Sequence, residues 1–532
     1  MNNSSDYIIN NSMEMDYSKR ISLEHRKKFA QFFTPIPIAK LMVRWLLGNE
    51  NLKTVLEPAF GLGIFSRVLL AKKNDIQIQG FDIDNLIFNQ AKKEFAGTEK
   101  INLLLEDYAY SDWNNKYDGI ICNPPYFKFH DYDNKNILTE FEKQLKCKLN
   151  GFTNLYTLFL LKSIHQLKRN GRCAYIIPSE FLNSDYGKLV KQDLMKTGNL
   201  RHVIVFDFEE NVFEDALTTA SIILCANDNK TKKIQFTNIH SVSELNVVEK
   251  LITDYPNLSE NSTTYLFSEL NPEIKWKTYY QPQNAHNFKN LVPFSTYAKV
   301  VRGIATGAND YFTFNISKAQ KYKIDERFLL PCICRAIDVK GNNFSCSDFE
   351  RLKNNNKNVF LLNAVNIQDE NVTKYLQKGK DEKIDKKFLT ANRHPWYSLE
   401  KRHPAPIWVS VFNRSGLRFI RNEANIANLT TFHCIYPQIN MFSNISVDLL
   451  FAYLLTDTAR KIFEDNSREY GNGLQKFEPN DLNKGKILDL EKLSKSSMKT
   501  VIDSYQNYGK TNDLQYINEI NIIFQEEFNK RF

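Results

Sequence analysis

The tetrapeptide Asn123-Pro124-Pro125-Tyr126 directly follows an apolar, strand-like run, and its groups suit the recognition of a planar amine. Asn123 offers a side-chain carbonyl, Pro124 a backbone carbonyl and Tyr126 a ring face. Two acceptors aligned with the N–H bonds of an exocyclic amine would direct its lone pair at an electrophile and stabilise the charge developing on nitrogen. No strong base is needed first, because the proton can leave to solvent after transfer. The same residues also suit a turn that ends a strand, since proline fixes φ and donates no N–H.

Three earlier strand-like runs end in residues that suit a bound nucleoside. The segment "LEPAFGLGIFS" places Gly61 and Gly63 in a turn that opens a helix, where the backbone can approach a ligand. The next run ends at Asp82, whose carboxylate can accept from both ribose hydroxyls, and the third ends at Asp107 and Tyr108, which suit a purine. Each group alone also occurs as a plain turn, a solvated strand end or a helix cap. Their succession on three strands predicts a nucleoside site.

Two residues of the glycine turn indicate which nucleoside it binds. Ser66 stands where a dinucleotide fingerprint has its third glycine, so a dinucleotide is disfavoured. Glu57 would repel a phosphate but attract an ammonium or sulfonium group. We therefore predict S-adenosylmethionine as the cofactor, with Asn123 delivered to the same edge of the sheet next to the methyl group.

The elements that position these residues are strand-like runs alternating with helical patterns between about residues 50 and 226. This alternation is typical of a parallel sheet with helices on both faces, so the predicted fold class is α/β. The last connection, "EENVFEDALTT", lacks crossover character, which makes an antiparallel seventh strand plausible. The seven predicted strands are "KTVLEP", "IQIQGFDI", "INLLLED", "DGIICN", "CAYIIPS", "RHVIVFDF" and "ASIILCA".

The rest of the chain divides by composition. After about residue 226 the alternation of strands and helices stops. The short apolar pieces from residue 290 onward predict a mixed α/β or β-rich domain, but they do not specify its strand order. The predicted segments are a polar leader at 1–27, a catalytic domain at 28–245, a boundary region at 246–289, a second domain at 290–490 and a helical segment at 491–532.

Composition excludes several classes of protein. The chain has 532 residues, 42% of them hydrophobic and 25% charged, which predicts two or more globular domains. The net charge of +9 permits a polyanionic partner without requiring one. Eight cysteines, paired in spacing only at Cys332 and Cys334, argue against a disulfide framework and a zinc ribbon. The lack of a signal peptide and of a long apolar run predicts a cytoplasmic protein with no membrane partner. No metal site is predicted either, because the cysteines lack the spacing of zinc ligands.

In order and content, the motifs closely resemble those of amino-group DNA adenine methyltransferases from restriction-modification systems. The subgroup is the one in which the cofactor motifs precede the catalytic motif and the recognition domain is carboxyl-terminal. The resemblance covers residues 28–485 and implies a Rossmann-like methyltransferase fold followed by a mixed α/β target-recognition domain. Its motifs are "QFFTP", "LEPAFGLGIF", "GFDID", "LLEDY", "NPPY", "NLYTLFLLKSIHQLKRNG", "AYIIPSEFL", "VFEDALTTASIIL", "RGIATGANDYF", "PAPIWVSVFNRSGLRFIRNEANIANLTTFHCIYP" and "GNGLQKFEPNDL".

The resemblance implies a place for each cofactor residue. The methionine carboxylate would lie near Thr34, and the rest of the methionine moiety near Glu57 and the glycine turn. The ribose would bind Asp82, and the adenine would contact Asp107 and Tyr108. The implied cofactor residues are Thr34, Glu57, Pro58, Gly61, Gly63, Asp82, Asp107 and Tyr108. One departure is Leu62, a large side chain between the glycines where many relatives carry a small or polar one.

The resemblance also implies how the target base is held. Asn123, Pro124 and Tyr126 would bind an adenine flipped out of duplex DNA. Phe213 in "VFEDA" would cover the other face of that base, with Phe206 or Phe208 as substitutes.

The second domain carries basic residues interleaved with aromatic ones. Singly they suit a solvated surface, but their density suits phosphate contacts with double-stranded DNA, which position a protein while a few base contacts specify. These residues are Arg302, Lys401, Arg402, Arg414, Arg418 and Arg421. No cleavage module is evident before the first motif, so the resemblance implies a separate cognate restriction endonuclease.

Two rival functions fit parts of the pattern. Asn-Pro-Pro-Tyr suits any planar amine or amide, so the substrate could be RNA adenine or protein glutamine; the large second domain disfavours both. A catalytically inactive DNA-binding specificity protein would show decayed motifs, whereas Asp82, Asp107 and Asn123 all stand in place.

Overall fold

The structure, a computed structural model, divides the chain into two compact units. The first comprises residues 1–282 and 469–473, and the second comprises 283–468 and 474–532. The residues described are 11–206, 219–257, 263–364, 369–413, 416–438, 445–470 and 474–530.

The first unit is built on a sheet of nine strands among its described residues, in the order β3-β2-β1-β4-β5-β7-β6-β8-β9. Strands β1 to β5 pair in parallel, whereas β7 is antiparallel to both of its neighbours, as its weak connection predicted. The predicted strands coincide with β1 to β7, and β8 and β9 extend the sheet. The bounds are β1 Thr54–Glu57, β2 Gln77–Asp82, β3 Ile101–Leu105, β4 Tyr117–Cys122, β5 Leu167–Pro178, β6 Leu200–Phe206, β7 Ala220–Ala226, β8 Lys233–Ile239 and β9 Thr263–Leu266.

Helices cover both faces of this sheet. Because side chains alternate along a strand, Leu56 packs into the core on one face and Val55 into the core on the other. The helices are α1 Ser12–Arg20, α2 Leu23–Lys28, α3 Ile36–Leu47, α4 Ile64–Leu70, α5 Asn85–Glu94, α6 Asn134–Leu145, α7 Leu155–His165, α8 Glu180–Asn183, α9 Gly187–Thr197, α10 Leu245–Asp254 and α11 Lys277–Tyr280. Fold class is thus the α/β doubly wound arrangement that the alternation predicted.

Two predicted segments contain more structure than their polar composition indicated. Helices α1 and α2 lie in the segment predicted as a polar leader. Tyr17 and Glu14 of α1 are buried, and Met13 and Ile21, four residues to either side of Tyr17, are partly buried in the same apolar cluster as Tyr17. The predicted boundary region contains α10, α11 and β9, and β9 pairs with β8. Short apolar stripes and sheet-edge strands carry weak sequence signals, because much of their surface remains polar.

The second unit is a mixture of short strands and helices. Its largest described sheet has the order β11-β20-β16-β18-β14, and a second has the order β12-β15-β13-β19. Its strands are β10 Leu291–Pro293, β11 Ala298–Arg302, β12 Thr313–Phe314, β13 Leu329–Ile333, β14 Asn343–Phe344, β15 Phe360–Leu362, β16 Ile407–Ser410, β17 Phe412–Asn413, β18 Phe419–Asn422, β19 Ala427–Asn428, β20 Phe432–Pro437, β22 Leu474–Lys476 and β23 Lys486–Leu488. Strand β21, Arg468–Tyr470, begins at the last residue before the 469–473 segment of the first unit. The helices of the second unit are α12 Asn309–Phe312, α13 Ile316–Lys321, α14 Cys346–Asn354, α15 Glu370–Asp381, α16 Phe388–Ala391, α17 Val447–Leu454, α18 Asp457–Glu464, α19 Pro479–Asn483, α20 Lys495–Thr511 and α21 Gln515–Phe528. None of the helices in the described ranges is long and apolar enough to cross a bilayer.

Candidate active site

A cavity lies at the carboxyl ends of β1 to β4, where the strand order reverses direction between β1 and β4. It encloses about 910 Å³ of empty space, open solvent at its mouth included. The predicted residues that line it are Thr34, Glu57, Pro58, Gly61, Asp82, Asp107, Tyr108 and Asn123.

The glycine turn after β1 has the backbone geometry that requires glycine. Gly61 and Gly63 have φ of +57° and +69°, in the left-handed region. A Cβ at Gly63 would lie 2.6 Å from the ring of Phe95 and 2.7 Å from that of Phe60, so glycine also allows the close packing of this turn. Gly63 caps the start of α4 instead of lining the cavity.

Asp82 at the end of β2 fixes the turn and faces the cavity. Its Oδ2 accepts a hydrogen bond from the backbone N–H of Gly61 at 2.9 Å, and its Oδ1 accepts from the N–H of Asp84 at 2.9 Å. Burial raises the pKa of Asp82 to about 6. Each carboxylate oxygen retains further acceptor capacity, which two ribose hydroxyls could use.

The residues after β3 form the next part of the wall. Asp107 Oδ1 accepts from the N–H of Ala109 at 2.8 Å, and burial raises the pKa of this carboxyl. Tyr108 is almost fully buried; its hydroxyl donates to Gln166, and the ammonium of Lys162 lies 4.0 Å from its ring centroid. Tyr108 is therefore part of the core as well as of the cavity wall, and its contact with a purine remains a prediction.

Glu57 ends β1 as a deeply buried carboxylate. Its Oε2 accepts from the hydroxyl of Ser66 at 2.5 Å, whereas its buried Oε1 has no hydrogen-bond partner among the described residues. Burial raises the pKa of Glu57 to about 8. Ser66, which replaces the third glycine of a dinucleotide fingerprint, thus has a positive role in holding Glu57.

Asn123 projects from the end of β4 with a fixed orientation. Its Nδ2 donates to the backbone carbonyl of Phe32 at 2.8 Å and to the hydroxyl of Thr34 at 3.0 Å. Because these two bonds hold the amide nitrogen, the carbonyl oxygen Oδ1 must point the other way. That oxygen is buried and accepts no hydrogen bond from any described residue. This oxygen is therefore available to accept a hydrogen bond from a ligand.

The rest of the tetrapeptide packs beside this amide. Pro124 is buried, and the hydroxyl of Tyr126 donates to the carbonyl of Ile176 at 3.4 Å. The Tyr126 ring lies nearly parallel to that of Phe32, with centroids 5.7 Å apart. The proposed stacking partner Phe213 and its substitute Phe208 lie outside the described residues, and Phe206 is buried in the core beneath α3.

Four residues of the site escaped sequence reasoning. Ile83 lines the cavity although its side chain is 51% exposed, and Phe32 contacts both Asn123 and Tyr126. The sequence could have indicated both residues, because Ile83 directly follows Asp82 and Phe32 lies in the "QFFTP" motif. Glu14 on α1 had no such signal, since an acid in a polar segment is common. Ser66 stood out only as a departure from the dinucleotide fingerprint, and its contact with Glu57 was not predicted.

The basic residues predicted to contact DNA occupy different environments in the second unit. Arg302 is well exposed and pairs with Glu478 at 2.9 Å, Arg402 pairs with Glu400 at 2.6 Å, and Lys401 is exposed. Arg414 lies outside the described residues. Exposed members of this set are available to a phosphate backbone.

Two arginines are instead bound to the fold of the second unit. Arg418 donates to the carbonyl of Val339 at 3.1 Å, and burial lowers its pKa. Arg421 donates to the carbonyl of Pro406 at 3.2 Å and pairs with Asp448 at 3.3 Å. These contacts give both side chains a structural role. Their contact with DNA remains a prediction.

Two family models match the chain. The model described as Eco57I restriction-modification methylase matches residues 40–213, which include the cavity residues at the ends of β1 to β4 but not Glu14 or Thr34. The model described as the C-terminal domain of Type II methyltransferase M.Eco57I matches residues 275–523. The two matches together follow the division into two units.

Full-length relatives extend this likeness. Type II methyltransferase M.AccI of Acinetobacter calcoaceticus is 66% identical over 99% of this chain and 98% of that protein. M.XamI of Xanthomonas campestris pv. amaranthicola is 22% identical over 87% and 85%. Among solved structures, the Type IIL restriction-modification enzyme MmeI in complex with DNA matches with a TM-score of 0.54 and 12% identity, over 98% of this chain and 74% of that one. This last likeness establishes a shared fold.

Proposed function

Because the chain belongs to the Type II methyltransferases of restriction-modification systems, we propose that it methylates N6 of a specific adenine in double-stranded DNA. The methyl donor in this proposal is S-adenosylmethionine, bound in the cavity at the ends of β1 to β4. The single observation that carries the proposal is the buried, unpartnered Oδ1 of Asn123 at the wall of that cavity.

The residues of the cavity fit this cofactor. Asp82 suits the ribose hydroxyls, Asp107 the adenine amino group, and the unpartnered Glu57 Oε1 the ammonium group of the methionine moiety. Thr34 accepts from Asn123, so its own proton is free to be donated to the methionine carboxylate. When bound, the cofactor supplies a methyl group on a sulfonium centre, which is an electrophile.

In this proposal Asn123 positions the target amine. Its amide nitrogen is held by Phe32 and Thr34, so Oδ1 is preorganised to accept one N–H of the amine without reorganising during transfer. The carbonyl of Pro124 accepts the second N–H in this proposal. Together they orient the nitrogen lone pair toward the methyl group and stabilise the positive charge that develops on nitrogen.

The target adenine must leave the duplex to reach Asn123. Tyr126 provides a ring on which the extruded base stacks, and such stacking contributes roughly 1–3 kcal/mol. The second unit selects the DNA sequence, and the proposed partner in the cell is a separate restriction endonuclease with the same target. This division is supported by the family model that matches residues 275–523 as a distinct C-terminal domain.

The proposal is tested by identifying the methylated product. The protein is incubated with labelled S-adenosylmethionine and, separately, duplex DNA, RNA and bacterial protein, and the digests are separated by mass spectrometry. We expect labelled N6-methyladenine from DNA alone. Labelled N4-methylcytosine would contradict the choice of base, and label in RNA adenine or protein glutamine would favour the rival substrates.

A further inference from the structure

Glu14 is a second carboxylate in the cofactor cavity, contributed by α1. Its side chain is only 4% exposed and lines the cavity. Its Oε1 accepts a hydrogen bond from Nη2 of Arg67 at 2.5 Å, whereas its buried Oε2 has no partner among the described residues. A buried carboxylate oxygen without a hydrogen bond is costly, so a bound ligand is a natural source of its missing donor.

The position of Glu14 is fixed by apolar contacts of α1 with the glycine turn. Tyr17 packs with Leu62 and Ile87 in a small hydrophobic cluster, and Met13 packs against the same cluster. Leu62, the large side chain between the two glycines, is buried in contact with this cluster. It therefore provides part of the surface on which α1 docks.

A polar network fixes the same helix at a second point. Asp84, which is 3% exposed, accepts hydrogen bonds from the Tyr17 hydroxyl at 3.4 Å, from Gln31 Nε2 at 2.6 Å and from His25 Nε2 at 2.8 Å. Asp84 also caps α5 by accepting from the N–H of Leu86. The segment that carries Glu14 is thus anchored to both the glycine turn and the start of α5, so the carboxylate is held in place before a ligand arrives.

The unpartnered buried side-chain atoms of the described residues that line the cavity are acceptors. Nε of Arg67, a buried donor that also lacks a partner in the described part of the chain, belongs to a residue that does not line the cavity. Among the described residues that line it, the buried side-chain atoms without a partner are Oε2 of Glu14, Oε1 of Glu57 and Oδ1 of Asn123. Asn123 is assigned to the target amine, which leaves two carboxylate oxygens. An ammonium group has three N–H donors and can satisfy both.

The charges lead to the same conclusion. Arg67 contacts Glu14, and its positive charge also favours the ionised form of Glu57, whose pKa burial raises to about 8. When all three side chains are ionised, as beside a bound cation, they carry a net charge of −1. One ammonium group makes the set neutral. We propose that Glu14, together with Glu57, binds the α-ammonium of the methionine moiety, so that α1 is part of the cofactor site. This inference rests on the proposed use of S-adenosylmethionine.

The alternative is that Glu14 only holds Arg67 in place. The two roles differ in what they require of the ligand. If Glu14 contacts the ammonium, its charge matters only for ligands that carry one. If Glu14 only orders Arg67 and the helix, its loss affects every ligand of the cavity equally.

The experiment measures binding of two ligands by calorimetry to the full chain. S-adenosylhomocysteine has the ammonium, and 5′-methylthioadenosine lacks the whole amino-acid end. The variant is Glu14→Gln, which keeps an oxygen that can accept from Arg67, and the matched control is Glu24→Gln, an exposed glutamate on α2. We expect Glu14→Gln to weaken S-adenosylhomocysteine about tenfold or more and to leave 5′-methylthioadenosine unchanged, with no effect of the control.

Other outcomes overturn the inference in distinguishable ways. An equal loss for both ligands would assign Glu14 a structural role only, and no loss for either would remove it from the site. If the unmodified protein bound neither ligand, the proposed cofactor site would itself be wrong, and the role of Glu14 with it.

Discussion

The hydroxyl of Thr34 accepts a hydrogen bond from the side-chain amide of Asn123 at 3.0 Å. The residue proposed for the methionine carboxylate therefore braces the residue proposed for the target amine. Through this contact, the cofactor side and the base side of the site share one hydrogen-bonded unit. Substitutions on the two sides should accordingly separate into effects on transfer and effects on binding.

We expect Asn123→Ala to abolish most transfer while cofactor affinity is retained. The variant removes an acceptor that is used mainly as charge develops on nitrogen, and losing a comparable preorganised group costs roughly 2.7–4 kcal/mol, or about 10²–10³ in rate. Single-turnover methylation and binding of S-adenosylhomocysteine measure the two quantities. The exposed Asn74→Ala serves as the control, and a fully active Asn123→Ala protein would contradict the assigned role.

Asp82→Asn should show the opposite pattern, with weakened cofactor binding as its first effect. The amide keeps the size of the carboxylate but loses one acceptor and the negative charge that the ribose hydroxyls would use. Calorimetry with S-adenosylhomocysteine should show about a tenfold loss of affinity. Unchanged affinity would rule out the ribose contact, and Asp503→Asn on exposed α20 is the matched control.

The contribution of Glu57 and Asp82 to the stability of the ligand-free protein should decrease as pH rises above about 5. Burial raises the pKa of Glu57 from 4.5 to about 8 and that of Asp82 from 3.8 to about 6, so the folded protein takes up protons. This contribution to the free energy of unfolding is complete below the lower values and is lost as pH rises through the higher ones. Glu57→Gln should flatten this dependence in urea unfolding between about pH 5 and pH 8.

A control separates this effect from general charge effects. Glu50 is exposed, and Glu50→Gln should leave the pH dependence of unfolding unchanged. A saturating cofactor analogue should also flatten the dependence, because its ammonium favours the ionised form of Glu57. An identical pH dependence in Glu57→Gln and the unmodified protein would show that Glu57 does not titrate in this range.

Gly63→Ala should destabilise the protein more than Gly97→Ala does. Both glycines have positive φ, which alone costs roughly 1–2 kcal/mol for an alanine. At Gly63 the added Cβ would also meet the rings of Phe95 and Phe60, whereas at Gly97 nothing lies within 4 Å. Overpacking adds about 1–3 kcal/mol, so the difference between the two variants in urea unfolding isolates the packing term. Equal losses would show that the turn can rearrange.

Lys401→Gln in the second unit should weaken DNA binding without loss of stability. Lys401 is exposed, and a lost phosphate contact should weaken binding to all sequences and reduce the salt slope by about one unit. Arg421→Gln is the contrasting variant, because Arg421 is bound to Pro406 and Asp448 within the fold. It should lower the unfolding midpoint, and a larger salt-slope change in Arg421→Gln would assign that arginine to DNA instead.

The first seven strands of the sheet could be predicted because each is an apolar run with a polar residue at its end. Topology then places the ends of parallel strands together, so Asp82, Asp107 and Asn123 were predictable as neighbours. The contribution of α1 was not, because three apolar residues in a polar segment give a weak signal and their partners Leu62 and Ile87 are distant in sequence.

The second unit was beyond sequence reasoning for a different reason. Its strands are short, and the strands that pair can be far apart in sequence. Strand β11 pairs with β20, and Val300 lies opposite Ile435. No local pattern specifies such a pairing. The same reasoning explains why the contacts of Arg418 and Arg421 within the fold could not be predicted, because their partners come from other segments of the chain.

The docking of α1 has a consequence for how the protein is assembled during translation. Tyr17 precedes its partner Asp84 by 67 residues. At synthesis rates of about 5–20 residues per second, the helix leaves the ribosome roughly 3–13 s before the residues that anchor it. During that interval the apolar side chains of the helix lack the residues against which they pack in the folded protein. The wall that Glu14 contributes is therefore added only when the chain beyond Ile87 has emerged, so the nascent protein acquires a complete cofactor site later than its first strand.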